Sequence, residues 1–283
     1  MKEKLFDFNN IRIEISFKSF DELISILSFY HRNNLYKINI PCKNSLKKDF
    51  LLESIKISKI EFPNLDIIPH FSIMHEFKKN RINTMDSFLK FLETVKYFGC
   101  KEVLLVSGSK KRATLDSVSA ISILKNTPLF FNQDISIGVA FNPYLPGSLF
   151  DEEILRLKKK LQSGLVSSIW IQFGTDYKLL KSRIDLLSNI ICSTINNNSK
   201  NSNINLFGSI LIPSRQFQAR FKFRPWKGVY CSSNFLDSLD VANSIVSQLL
   251  KTYKQYNISP IIETNISTED ELEKLRKILR LEI

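Results

Sequence analysis

The stretch FLKFLETVKYFGCKEVLLVSGS, Phe88–Ser109, holds the alternation that decides the fold. In its first half Phe88, Phe91, Leu92, Val95 and Phe98 recur three and four residues apart. That is the spacing of one apolar helix face. In its second half Lys101–Ser107 contains an unbroken apolar run, Val103 to Val106, that stops at Ser107-Gly108-Ser109. A run so short, Val-rich and bounded by turn residues reads as a buried strand. Whether its end is an ordinary loop or a ligand-facing tip depends on what surrounds it.

Outward from this unit the same alternation recurs eight times. Strands are predicted at Ile11–Ser16, Tyr36–Pro41, Leu65–Ser72, Lys101–Ser107, Ser136–Phe141, Ser168–Phe173, Leu206–Pro213 and Pro260–Asn265. Helical patterns are predicted at Phe20–Tyr30, Phe88–Phe98, Asp151–Leu161, Leu236–Tyr256 and Thr268–Leu279, the last with Ser267 and Thr268 as N-caps. The Asn-rich stretch Asn196–Asn203 is a polar loop rather than a linker. Eight strand–helix units in 283 residues predict a single (β/α)8 barrel domain of class α/β spanning 1–283. The rival, an open doubly wound sheet, lacks a G-x-G-x-x-G turn after its first strand.

Composition narrows the function classes. At 43% hydrophobic and 24% charged the chain is a globular protein able to bury its own core. Four separated cysteines, without C-x-x-C spacing, and three histidines argue against structural zinc and for reduced thiols in the cytoplasm. The polar N-terminus gives no secretory signal, and no apolar run is long enough to span a membrane. The net charge of +12 comes from lysines spread along the chain, which reads mainly as a solvated surface, with an anionic small ligand as the alternative. No nucleic-acid-binding motif accompanies it, so no nucleic-acid partner is expected. Self-association is compatible with the sequence, which does not set the oligomeric state.

In such a barrel the site lies at the C-terminal ends of the strands. Polar residues predicted there include Glu14, Ser16, His70, Ser72, Ser107, Ser109, Asn142, Gln172, Asp176, Ser214, Arg215, Glu263 and Asn265. Glu14 interrupts an apolar rhythm. Burial would raise its pKa toward what a general acid needs, unless it faces solvent or pairs with Arg12. His70 could orient a ligand or bond a loop carbonyl. Gln172, in an otherwise apolar strand, suits a hydrogen-bonding heterocycle or a satisfied core amide. Lys158, Lys159 and Lys160 could hold phosphate or form a solvated helix face. The segment Phe217–Tyr230 mixes aromatics with Arg and Lys, and reads as a ring-stacking lid or as a packed helix. No serine-hydrolase, P-loop or zincin motif appears.

Together these strand ends resemble the methylenetetrahydrofolate reductase family, piecemeal but in order along most of the chain. IRIEISF (Ile11–Phe17) resembles the family's first strand, which implies Glu14 as the general acid. IIPHFS (Ile67–Ser72) resembles its P-H-L-T strand, which implies His70 as a flavin contact. LRLKKKLQSG (Leu155–Gly164) resembles its L-x-L-K-x-K-x-x-A-G helix, placing Lys159 and Lys160 at FAD phosphates. IWIQFGTD (Ile169–Asp176) resembles its I-T-Q-x-x-F-D strand, which makes Gln172 a folate and flavin contact. GSILIPSRQF (Gly208–Phe217) resembles its G-I-L-P segment, with Phe217 as the folate-stacking ring. The resemblance implies hydride transfer from NADH or NADPH, through FAD, to 5,10-methylenetetrahydrofolate, giving 5-methyltetrahydrofolate.

The departures concern the flavin. The family's Arg-Gly-Asp-like turn after strand four falls here on Ser107, Gly108 and Ser109, which keep the glycine and lose both charges. The second-strand turn reads I-P-C-K (Ile40–Lys43), and the fifth-strand Tyr-Pro-Glu region reads F-N-P-Y (Phe141–Tyr144). Two alternatives follow: a flavin-free enzyme passing hydride directly from nicotinamide to folate, or an inactive paralogue that binds folate in a regulatory role.

Overall fold

The structure, a computed structural model, describes residues 6, 10–42, 48–76, 80–107, 115–128, 134–197 and 203–280. Eight parallel strands close into a barrel in sequence order. They are β1 (Arg12–Glu14), β2 (Lys37–Ile40), β3 (Asp66–Ser72), β4 (Glu102–Val106), β5 (Ser136–Phe141), β6 (Val166–Ile171), β7 (Asn205–Ile210) and β8 (Ser259–Ile262). Closure is made by Arg12 opposite Ile261 and Ile13 opposite Ile262. The helices are α1 (Phe20–Arg32), α2 (Lys48–Glu61), α3 (Ile73–Glu76), α4 (Arg81–Tyr97), α5 (Ser117–Lys125), α6 (Gly147–Leu161), α7 (Tyr177–Asn197), α8 (Arg215–Phe223), α9 (Ser233–Asp237), α10 (Leu239–Gln255) and α11 (Glu269–Arg280). No described helix is long and apolar enough to cross a membrane.

Successive side chains of a strand point to opposite faces, so each strand divides its residues between two cores. Ile13, Ile38, Ile67, Phe71, Val103, Leu105, Ile137, Val139, Ile169 and Ile262 face outward and belong to the large core between barrel and helices. Phe71 packs there against Phe88 and Phe91 of α4, ring centroids 4.5 and 5.2 Å away. Ile68, Leu104, Trp170 and Ile261 form a second, smaller core inside the barrel, with Val106 and Phe207 packed on it. The alternation therefore also assigns Arg12, Glu14, His70, Glu102 and Gln172 to the inner face.

Helix starts follow side-chain chemistry. Ser19, Asn80, Asp116, Ser214 and Ser238 each accept a backbone N–H three residues on. Each such cap stabilises its helix by about 1 kcal/mol. Ser238 also corrects a sequence expectation. The helix expected over Leu236–Tyr256 is two helices, because Ser238 adopts extended angles (φ −134°, ψ 128°) and caps α10 through Val241 N. A serine competes for backbone donors and is better placed at a cap than inside a helix. The strand expected at Ser168–Phe173 begins two residues earlier, and its pairing with β5 shifts register between Ile137 and Gly138. The loop expected at Asn196–Asn203 falls mostly outside the described residues, although Asn196 and Asn197 end α7.

Candidate functional site at the barrel mouth

The floor of the barrel is polar. The Arg12 guanidinium donates to Asp66 Oδ2 (2.6 Å), to the carbonyls of Ile38 (3.0 Å) and Asp66 (2.9 Å), and through Nε to Asn39 Oδ1 (2.8 Å). A guanidinium only 3% exposed requires this many acceptors. Beside it Glu102 accepts hydrogen bonds from Ser168 Oγ and Trp170 Nε1, and Trp170 Nε1 also donates to Ser168 Oγ at 2.7 Å. The Trp170 indole stacks on Phe207 with ring centroids 4.2 Å apart and planes 17° apart. This places an apolar aromatic platform under the mouth.

Glu102 makes the floor pH-sensitive. Burial pushes its carboxyl above the usual 4.5, and Ser168, Arg12 and Trp170 offset only part of this. The folded chain thus holds a proton at pH values where the unfolded chain has lost it. This contribution to stability is complete below 4.5 and declines as pH rises through the raised folded value. The native chain is therefore expected to grow more sensitive to urea as pH rises from 4.5 through the raised folded value, and Glu102→Gln is expected to flatten that rise. An unchanged slope would assign the dependence to another group.

From the floor a hydrogen-bonded path leads to the mouth. Arg12 fixes Asn39 Oδ1 as an acceptor, so Asn39 Nδ2 donates to His70 Nε2 at 3.0 Å. The His70 Nε2 is then the acceptor nitrogen of its ring, and Nδ1 carries the proton. Its neighbour along the inner face, Ser72, is buried with a hydroxyl that has no hydrogen-bond partner among the described residues. On the opposite side, Ser209 donates to Glu263 Oε1 at 2.5 Å, which fixes that carboxylate at the β7–β8 end. Asn265 clamps β8 to β1 by accepting from Ser16 N (2.8 Å) and donating to Ser16 O (2.6 Å). Glu14 lies between them, half-buried, opposite Asn39 in the register. Gln172 follows β6, two residues beyond Trp170 on the same inner face. Its backbone N–H donates to Phe141 O at 2.9 Å. Glu14, His70, Gln172 and Glu263 therefore share the inner face near the C-terminal ends of their strands, with Trp170 and Phe207 one inner-face position below Gln172 and Ser209.

The other candidates lie apart. Ser107 Oγ donates to Ser117 Oγ and accepts from Ser117 N, both at 2.9 Å, while Arg156 approaches it at 3.5 Å and pairs with Asp116 at 2.5 Å. Burial opposes ionisation of Asp116, but the Ser119 N–H and Arg156 outweigh it and hold its carboxyl below the usual range. Gly108 and Ser109 lie outside the described residues. Lys159 and Lys160 are adjacent but face differently. Lys159 is exposed, whereas Lys160 is 4% exposed and donates to Ala140 O at 3.3 Å, with burial lowering its pKa. Phe217 sits in an aromatic cluster with Phe221, Trp226 and Phe235, 5.3–6.3 Å between centroids. The Phe217–Tyr230 segment is a packed helix as far as Phe223. It then becomes a loop pinned to the β6 end, where Thr175 N donates to Tyr230 O at 3.0 Å. The Trp170–Phe207 stack has no signal in the sequence pattern, although Trp170 lies two residues before Gln172 on the same inner face. Among the described residues no group of three or more His, Cys, Asp or Glu could hold a metal ion.

No protein-family model and no curated protein matches the chain. Solved structures do. An uncharacterized protein from Clostridium thermocellum that binds two copies of 5-methyl-5,6,7,8-tetrahydrofolic acid superposes with a TM-score of 0.64. The match covers 95% of this chain and 93% of that one, at 15% identity. A putative phosphonomutase from Burkholderia cenocepacia superposes at 0.50, covering 95% and 93%, with 6% identity. At these identities the likeness establishes the (β/α)8 fold.

Proposed function

We propose that the barrel mouth binds a reduced folate and that the chain transfers hydride to its one-carbon bridge. The observation that carries the ligand class is the fixed Glu263 carboxylate at the β7–β8 end, on the same inner face as Gln172 and the stacked Trp170–Phe207 pair. A pterin presents adjacent N–H donors on its aminopyrimidine edge, which a carboxylate accepts, and a carbonyl, which an amide donates to. Its flat ring is suited to an aromatic surface. That a protein of the same barrel fold binds 5-methyltetrahydrofolate supports the same class.

The finer reading is a methylenetetrahydrofolate reductase-like reaction with Glu14 as general acid. A proton from Glu14 to N10 breaks the methylene C–N10 bond and leaves an N5 iminium. Hydride from the C4 of NADH or NADPH then reduces the methylene carbon to N5-methyl, and the nicotinamide leaves oxidised. The two lysines that the resemblance assigns to FAD phosphates do not fit that group. Lys159 points to solvent and Lys160 is engaged beneath the barrel wall, so the pair does not form a shared diphosphate cradle. No step is therefore taken through a flavin.

A second reading, a folate-binding protein without turnover, is favoured by the β4 end. There Ser107 is occupied by Ser117 and Arg156, and the sequence has Ser109 where the resembled family carries its acid. Calorimetric titration with 5-methyltetrahydrofolate tests the binding common to both. Saturable binding is expected, weakened roughly 10- to 100-fold in Gln172→Ala and in Glu263→Ala, as befits lost hydrogen bonds to a buried heterocycle. Absence of saturable binding at millimolar ligand would overturn both readings.

A further inference from the structure

The loops beyond β6 and β7 form an open cleft of about 640 Å3 whose walls contain none of Glu14, His70, Gln172 or Glu263. Sites for small molecules commonly span roughly 300–1,000 Å3. Phe221, Pro225, Val229, Tyr230 and Leu236 make its walls largely apolar, with aromatic faces. The walls are held by hydrogen bonds: Tyr230 O accepts from Thr175 N, and Ser232 N donates to Thr175 Oγ1 at 2.8 Å.

The segment that makes most of the wall is basic, although Asp176 also lines the cavity. Residues 206–236 contain Arg215, Arg220, Lys222, Arg224 and Lys227, and no Asp or Glu. Lys222 lies in the wall, half-exposed, and pairs with Asp237 at 2.6 Å. The wall's carboxylate, Asp176, is already engaged in capping α7, where it accepts from Leu179 N at 2.9 Å. Behind the same wall the Tyr144 hydroxyl, close to Asp176 and Cys231, is buried without a hydrogen-bond partner among the described residues. That hydroxyl does not line the cavity and is sealed behind its wall.

We propose that this cavity is a second binding site, separate from the mouth, for a planar aromatic anion of the pteroylglutamate class. The ring would lie against Tyr230 and Phe221, with its carboxylates toward Lys222 and the neighbouring arginines. The choice of ligand class rests on the folate reading of the mouth, and the test separates the two.

Titration with 5-methyltetrahydrofolate is expected to give two sites per chain. Val229→Trp, which fills the cavity, should remove one, and Lys222→Glu should weaken that one at least tenfold. Glu263→Ala should impair only the other. Cys231 supplies an independent readout, because its thiol lines the cavity. Its alkylation, mapped by mass spectrometry, should slow at least threefold at saturating ligand. Circular dichroism and melting of each variant confirm folding. One site, insensitive to Val229→Trp and lost in Glu263→Ala, with unprotected Cys231, overturns the proposal and leaves the mouth reading intact. One site lost only in Val229→Trp supports the cavity and overturns the mouth reading. No binding at all overturns both.

Discussion

Gly138→Ala is expected to lower the unfolding free energy by about 3–5 kcal/mol, read as a large drop in urea midpoint, because the barrel floor has no room for a methyl group. A Cβ at this position would lie 2.5 Å from Trp170 Nε1, 2.7 Å from Glu102 Oε1 and 2.7 Å from Ser168 Oγ. These atoms are already bonded to one another. The methyl must therefore either displace the indole from Phe207 or break hydrogen bonds that leave buried polar groups unmet. Overpacking alone costs about 1–3 kcal/mol, and each unmet buried group about as much again. Adding Trp170→Leu to Gly138→Ala should recover part of the loss, since the smaller side chain makes room and removes the Nε1 donor. Full stability in Gly138→Ala would mean that the floor is not close-packed around this position.

The barrel was legible because strand and helix periods write themselves into the sequence. Ile11, Ile13 and Ile15 alternate with Arg12, Glu14 and Ser16, and one glance at that rhythm separates the outer core from the barrel interior. The mouth residues Glu14, His70 and Gln172 were legible for the same reason, as polar breaks near strand ends. Other features depend on geometry that no local pattern encodes. Lys159 and Lys160 look equivalent in a Lys-Lys-Lys run, but one residue of helix turns the side chain by roughly 100°, which takes Lys160 from solvent into the barrel wall. The Arg12 contacts join residues up to 54 positions apart. The Trp170–Phe207 stack exists because β6 and β7 pair Trp170 directly with Phe207. Phe217 could have been a free stacking ring or a packing ring, and only the placement of Trp226 and Phe235 decides that it packs.

Glu14→Gln is the variant expected to change function most. If Glu14 delivers the proton that opens the one-carbon bridge, the glutamine keeps size and hydrogen bonding but cannot protonate N10. Loss of a positioned acid reduces turnover by roughly 10²- to 10⁴-fold. Binding of 5-methyltetrahydrofolate, whose bridge is already open, should stay within about threefold of native, since a neutral amide of the same shape preserves the contact. The split between the two measurements is what matters. A fall in kcat with unchanged ligand affinity assigns Glu14 to the chemical step. A parallel loss of affinity and turnover would make it a binding residue instead. The location allows either outcome, because Glu14 stands opposite Asn39, whose amide is held by Arg12 on one side and by His70 on the other. If the native chain binds 5-methyltetrahydrofolate yet reduces no methylenetetrahydrofolate with NADH or NADPH, the same barrel is a folate-binding protein. Glu14 is then retained for its contacts with the ligand or the barrel wall rather than for its proton.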